Sequence, residues 1–340
     1  MSVNFGETPA AKREGGERAV FPLRPLVIGG VTLPANVVCA PLAGYTDFAF
    51  RDLCYSFGAG LCYTEMVSAK GLLYNSAATR ELLLRGEEEP PQTAVQLFGG
   101  DADILRAACE SEELAPFPIV DLNMGCPVPK VFRNGEGSAL LGDLPRAEKI
   151  VSACVKSGKI VTVKFRTGLA RGHAVAAELA KLCEGAGAAA VTVHGRTREE
   201  YYAGAPDYAQ IAAAKNAVKI PVIANGGIFS VADGAEMIGK TGADGVMLAR
   251  AALYDPHLFA EFCGEGADWD VAAAVLRQAA EMLPVYGERR TVVHMRKMAG
   301  FYLRGRRGAA ALRRELFSCE TLADLRAQLA RIFGEGARDD

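Results

Sequence analysis

The chain has no CxxC pair. Its nine cysteines stand singly, none at short spacing from a histidine. That pattern argues against zinc modules and a disulfide scaffold, and it suits a reducing cytosol. No metal site is expected. No apolar run approaches the roughly 20 residues that cross a bilayer, and the first residues lack a signal-peptide core. The expectation is a cytoplasmic protein with no membrane association. A basic excess is also missing: 38 Lys and Arg stand against 40 Asp and Glu, a formal net charge of −2. No global basicity announces a nucleic-acid partner. Nor is there a GxGxxG fingerprint, the signature of an adenine-dinucleotide fold.

What is present is length and rhythm. A chain of 340 residues suits one large domain plus a smaller one. Residues 1–20 are polar and Gly-rich and read as a flexible tail. LVIGGVTLPAN then reads as a hairpin around Gly29 and Gly30 that closes one end of a barrel. Apolar strand candidates follow at 37–40, 61–66, 93–98, 119–123, 160–164, 190–194, 221–224 and 245–248. Helical patterns at 101–109, 147–157, 174–184 and 232–241 fall between them. This alternation predicts a (β/α)8 TIM barrel over 21–256, with a doubly wound open sheet as the alternative. The strand rhythm stops near Tyr254. From there Ala, Leu, Arg and Glu at helical spacing predict a small helical domain over 257–340.

The strand ends favour the barrel. They read PLAG, TEM, QLFGG, NMGCP, KFRTG, HGRT, NGGI and ARAAL, each polar or Gly-rich. Barrel enzymes build their sites from the loops at these ends. Glu65, Gln96, Asn123, Cys126, Lys164, Arg166, His194, Arg196, Asn225 and Arg250 would then share one rim. IVDLNMGCPVPK is the sharpest stretch. Pro127 disfavours a helix at Cys126, and Gly125 allows the turn before it. A thiol is thus presented on a loop just past a strand, with the Asn123 amide three residues earlier. In IANGGI, Gly226 and Gly227 let backbone N–H groups approach an anion at a helix start, and Arg250 adds a charged donor. The segment 284–314 carries nine Lys and Arg against Glu288 as its only acid, a candidate phosphate-backbone surface.

These motifs, PLAGYTD, VQLFGGD, DLNMGCPVPK, VKFRTG, VHGRT and NGGI in this order, resemble the tRNA-dihydrouridine synthases, most nearly the bacterial B-type branch. The resemblance spans roughly 21–325 and implies an FMN-binding barrel followed by a tRNA-holding helical domain. It implies FMN contacts from Pro41, Leu42, Ala43, Gln96, Lys164, His194, Asn225, Gly226 and Gly227, with Ala249 and Arg250 at the phosphate. Ala249 stands where relatives carry Gly. Cys126 matches the proton donor. Asn123, Arg166 and Arg196 would meet the flipped nucleotide, and Lys297, Arg304, Arg306 and Arg307 the rest of the tRNA. NADPH, or NADH, would be the reductant and a monomer the working form. Two other readings stay open on the residues alone. One is an FMN barrel enzyme acting on a free pyrimidine, like the dihydroorotate dehydrogenases, which leaves the basic tail unexplained. The other is a noncatalytic RNA-binding protein on the same scaffold, which leaves Cys126, Lys164 and Arg250 without a task.

Overall fold

The structure is a computed structural model that describes residues 20–266 and 268–334. The expected tail lies outside the described residues except for Val20, as do the last six residues of the expected helical domain. Strands β1 (Leu26–Ile28) and β2 (Val31–Leu33) form the anticipated antiparallel hairpin. Its two turn residues, Gly29 and Gly30, have φ 55° and 85°, the left-handed values that a tight hairpin turn demands. A Cβ on Gly29 would stand 2.6 Å from Ile160 Cγ2, so the turn presses against the barrel.

Eight further strands follow: β3 (Val37–Cys39), β4 (Leu61–Ser68), β5 (Ala94–Phe98), β6 (Ile119–Met124), β7 (Ile160–Arg166), β8 (Ala190–His194), β9 (Val222–Asn225) and β10 (Gly245–Leu248). All pair in parallel, and β10 closes on β3 with Val246 opposite Val37. The open-sheet alternative is therefore wrong. Strand residues alternate between two apolar cores, as period-2 geometry requires. Val120, Leu122, Met124, Val161, Val163 and Phe165 face the surrounding helices. Val38, Leu61, Tyr63, Ala94, Ile119, Ala190, Ile223 and Met247 fill the interior floor, plugged by Leu26, Ile28 and Leu33 of the hairpin.

Past the barrel come helices Leu258–Phe262, Val271–Tyr302, Ala309–Phe317 and Leu322–Phe333. The longest is two helices joined at Gly287, whose φ of 70° breaks the spiral three residues after Pro284. Val275, Ala279, Met282, Met295 and Met298 of this helix join the apolar core of the barrel's outer face. Two polar ties add direction. His294 Nε2 lies 2.8 Å from Asp47 Oδ2, and Lys297 Nζ donates to the Gly44 carbonyl at 2.7 Å. Both ties hold the loop after β3, which walls the cavity described next.

Candidate active site

Interior side chains change character along the barrel axis. The floor is apolar, the next layer holds Gln96, Asp121 and Thr162, and the rim holds Asn123, Lys164, Arg166, His194 and Asn225. Strand register sets these neighbours: Gln96 pairs with Asp121, Asp121 with Thr162, Asn123 with Lys164 and His194 with Asn225. The Asn123 side chain folds back on its own loop. Its Oδ1 accepts the N–H groups of Gly125 at 3.1 Å and Cys126 at 2.8 Å, a local turn that Asn favours. Its Nδ2 donates to Gln96 Oε1 at 2.8 Å. Gln96 Nε2 in turn donates to Asp121 Oδ2 at 2.7 Å, and Thr162 Oγ1 to Asp121 Oδ1 at 2.7 Å.

Cys126 follows the strand end directly, 8% exposed, with its carbonyl accepting from Ser138 Oγ at 2.8 Å. Burial pushes its thiol pKa up, against smaller opposing pulls from the Val128 N–H, Arg166 and Lys164. The group is a thiol at neutral pH. Opposite it, Lys164 Nζ donates to Asn225 Oδ1 at 3.2 Å, and Asn225 Nδ2 is fixed by the Met247 carbonyl at 2.8 Å. Burial, then Arg166, lower the Lys164 pKa to about 8, while Asp121 and Cys126 hold it up. His194 is driven well below its ordinary value by burial and then by Arg166, Lys164, Arg196 and Arg250. Its imidazole is neutral. Arg196 Nη1 lies 3.4 Å from His194 Nε2, and an arginine only donates, so the proton sits on Nδ1.

The Gly-Gly turn has the shape of an anion cradle. Gly226 and Gly227 have φ 115° and 71°. A Cβ on Gly226 would lie 2.8 Å from His194 Cδ2, and one on Gly227 2.9 Å from Pro206 Cγ. Their N–H groups donate to no group among the described residues. Arg250 is buried between aromatic faces, its guanidinium 4.9 Å from the Tyr202 ring and 5.4 Å from Phe229. It has no acceptor among the described residues. The following helix start, expected to add its field, is capped by Ser230 Oγ on the Asp233 N–H, and Asp233 takes the Phe229 N–H. The glycine amides and Arg250 therefore remain as the donors for an anion. Ala249 has φ −123°, outside the left-handed region that would require glycine.

One cavity of about 220 Å³ collects Pro41, Leu42, Ala43, Gln96, Asn123, Cys126, Lys164, Arg166, His194, Arg196, Asn225, Gly226, Gly227, Ala249 and Arg250. Glu65 sits apart, accepting the Gly44 N–H. Two arginines have an internal task. Arg166 is 3% exposed and donates to the carbonyls of Gly125, Thr197 and Tyr201 at 2.7–3.0 Å. Arg196 is 2% exposed and donates to the carbonyls of Ala203 and Gly204. Both brace the loops around Cys126 and Tyr202. Residues overlooked in the sequence are Asp121 and Thr162 beneath the rim, and the aromatics Tyr45, Tyr202 and Phe229. The face of Asp121, though not its role, was legible, since it lies two residues before Asn123 on the same strand.

The basic segment 284–314 is less available than its composition implies. Arg290 pairs with Glu81, Arg296 donates to the Phe317 and Cys319 carbonyls, and Arg313 donates to that of Gly300. Arg306 donates to the Ile332 carbonyl at 2.7 Å and lies over Phe333. Lys297 lies 4.3 Å over Tyr45, and Arg304 3.9 Å over Tyr254. Arg289, Arg307 and Arg314 are exposed. Tyr254, Lys297, Phe301, Arg304, Arg313 and Phe317 line a second hollow of about 350 Å³ beside the first. Among the described residues no helix is long and apolar enough to cross a membrane, and no cluster of His, Cys, Asp and Glu could hold a metal ion.

Comparison with known proteins gives a consistent picture. The dihydrouridine synthase family model matches residues 38–335. The tRNA-dihydrouridine synthase B of Pseudomonas aeruginosa is 39% identical over 315 residues, 90% of this chain and 94% of that protein. A probable tRNA-dihydrouridine synthase of Mycobacterium tuberculosis is 36% identical over 341 residues, 93% of this chain and 87% of that one. Among solved structures, morphinone reductase in complex with tetrahydroNAD has a TM-score of 0.52 at 15% identity, over 74% of this chain and 93% of that one. The old yellow enzyme from Trypanosoma cruzi has a TM-score of 0.51 at 13% identity, over 74% and 94%. At such identities the structural likeness bears on the barrel alone.

Proposed function

The chain belongs to the dihydrouridine synthase family, and on that premise we propose that it reduces the C5–C6 bond of a D-loop uridine in tRNA, with FMN in the barrel and NADPH as reductant. The observation that carries this reading is the placement of the Cys126 thiol on a braced loop, over the same cavity as Lys164 and an anion cradle.

The residues fit FMN on their own chemistry. A phosphate would take the free N–H groups of Gly226 and Gly227 and the Arg250 guanidinium, on a turn where a Cβ at either glycine would collide with His194 or Pro206. The ring system would lie against the loop Pro41–Leu42–Ala43, within reach of Gln96, Lys164, His194 and Asn225. When bound and reduced, FMN supplies the hydride for C6. Lys164, held charged by Asp121, stabilises negative charge at the cavity wall. His194 contributes a neutral Nδ1–H. Cys126 gives its proton to C5 as the C6–H bond forms, and the resulting thiolate faces Lys164 and Arg166 until it regains a proton from solvent. Once its bonds to Gln96, Gly125 and Cys126 are counted, the second Nδ2 proton of Asn123 has only a weak 4.0 Å contact with Met66 Sδ, which a uracil oxygen would replace. The Tyr202 and Phe229 faces around Arg250 line the same cavity. A base must leave its stack to enter, at a cost of a few kcal/mol.

The helices from residue 257 onward supply the docking surface for the tRNA body. Arg307 and Arg314 face solvent there, and the hollow at Tyr254, Phe301 and Arg304 joins aromatic and cationic groups, the combination that suits unstacked nucleotides. A monomer in the cytoplasm meets these requirements. The test is direct. Purified protein is incubated with NADPH and unmodified tRNA, and the tRNA is digested and weighed for the gain of two hydrogens at uridine. A colourless protein that takes up no FMN, or reduction of free uridine or orotate in preference to tRNA, would overturn the proposal.

A further inference from the structure

Resting on the reading of Cys126 as proton donor, we propose that Asp121 is a positioning residue: it sets the direction of an amide chain, Asp121–Gln96–Asn123, buried at its inner end, that holds the Cys126 loop in shape. Asp121 is 0% exposed and lies one layer below the cavity wall, so it acts through others. An ionised carboxylate only accepts hydrogen bonds. Gln96 must therefore turn Nε2 toward Asp121, 2.7 Å away, and leave Oε1 facing outward. Asn123 must then turn Nδ2 to that oxygen at 2.8 Å and keep Oδ1 for the N–H groups of Gly125 and Cys126. Each side-chain amide has two orientations of nearly equal shape. The carboxylate at the inner end selects one of them for both links. Thr162 occupies the other carboxylate oxygen at 2.7 Å and fixes Asp121 itself. With the direction unset, Asn123 can present its NH2 to the Cys126 N–H. Two donors then face each other, and the thiol loop loses its anchor.

The test exploits this directionality. Asp121→Asn preserves shape but lets the inner end donate, which permits the reversed chain. Hydrogen exchange of the peptide spanning 122–128, read by mass spectrometry, should show Gly125 and Cys126 amides exchanging about tenfold faster or more, the scale of one lost buried hydrogen bond. Reoxidation of the flavin by tRNA should fall in kcat with little change in KM. Adding Gln96→Glu restores a single direction, because the amide at 121 then donates to a carboxylate at 96 that accepts from Asn123. Slow exchange should return. A merely space-filling Asp121 would show neither the loss nor the recovery. Unchanged exchange in Asp121→Asn, or no recovery in the double variant, overturns the proposal. If Asp121→Asn does not fold, Gln96→Met, which removes the acceptor of Asn123 and leaves Asp121 with Thr162, carries the same expectation for the loop amides. The exchange readout needs neither flavin nor tRNA. Loop amides that respond as expected, beside a Cys126→Ala variant with wild-type reoxidation, would keep the amide chain and discard the role of the thiol.

Discussion

Asp121 makes a sharp thermodynamic prediction, because a functional carboxylate has been buried without a contacting cation. Desolvation raises its pKa to about 6, with Gln96, Thr162 and Lys164 offsetting part of the cost. In an unfolded chain an aspartate titrates near 3.9. About two units at 1.36 kcal/mol each amount to roughly 3 kcal/mol. The folded-state pKa is raised, so this stability is fully present below about pH 4 and is lost as the pH rises through about 6. Asp121→Asn has no such titration. Relative to wild type, the variant should therefore gain about 2 kcal/mol between pH 4 and pH 7, on top of any constant penalty from the broken amide chain. Asp52, near 6, and Glu281, near 7, titrate in the same range, but they do so in both proteins and cancel. Lys164 and Tyr63, which face the carboxyl, keep their charge states below pH 7. The assay is urea unfolding of both proteins at half-unit steps from pH 4 to pH 7, compared as differences. Parallel curves, or a difference that runs the other way, would refute the raised pKa of Asp121, and a difference still steepening at pH 7 would refute its charge at neutral pH.

Gly226→Ala should abolish stable FMN binding and lower the thermal midpoint, since its Cβ would lie 2.8 Å from His194 at φ 115°; equilibrium dialysis and calorimetry read the two effects. Arg307→Ala with Arg314→Ala should weaken tRNA binding and reduce the slope of log K against log salt by about 0.7–0.9 per lost phosphate contact, with unchanged folding stability. Arg306→Ala should instead lower stability, because its bond to the Ile332 carbonyl packs the last helix; a salt series together with thermal unfolding separates the two classes. Lys164 loses its charge near pH 8, so reoxidation of reduced flavin by tRNA should decline as the pH rises through 8, well before the raised Cys126 thiol ionises; stopped-flow traces from pH 6.5 to 9.5 give the profile.

Much of the architecture was legible because barrels write it in sequence. Eight apolar strands with polar ends predicted both the closed barrel and the rim, and β8 and β10 begin and end where the pattern placed them. The hairpin was legible from Gly29 and Gly30, since few other residues accept both turn conformations. Asp121 escaped because IVDL reads as a buried strand, and a single acid looks like an interruption there. Its meaning lies in contacts with Gln96 and Thr162, 25 and 41 residues away, which no local pattern encodes. The arginines escaped for a related reason. Charge density at 284–314 predicts a surface, but Arg306 and Arg313 reach carbonyls at Ile332 and Gly300 that only the fold brings near. Arg166 and Arg196 likewise brace loops from the cavity wall, a role that the KFRTG and HGRT motifs do not distinguish from ligand binding.

The central claim is that the Cys126 thiol protonates C5 of a tRNA uridine. Cys126→Ala removes the acid and little volume. FMN should stay bound and NADPH should still reduce it, since neither step uses the thiol. In single-turnover mixing of prereduced enzyme with unmodified tRNA, followed at the flavin absorbance, reoxidation should slow by about 10²–10⁴-fold, the usual worth of a general acid. Cys126→Ser should recover little, because a hydroxyl is a far weaker acid than a thiol. Reoxidation of Cys126→Ala at the wild-type rate, with dihydrouridine formed in the tRNA, would contradict the account at its centre.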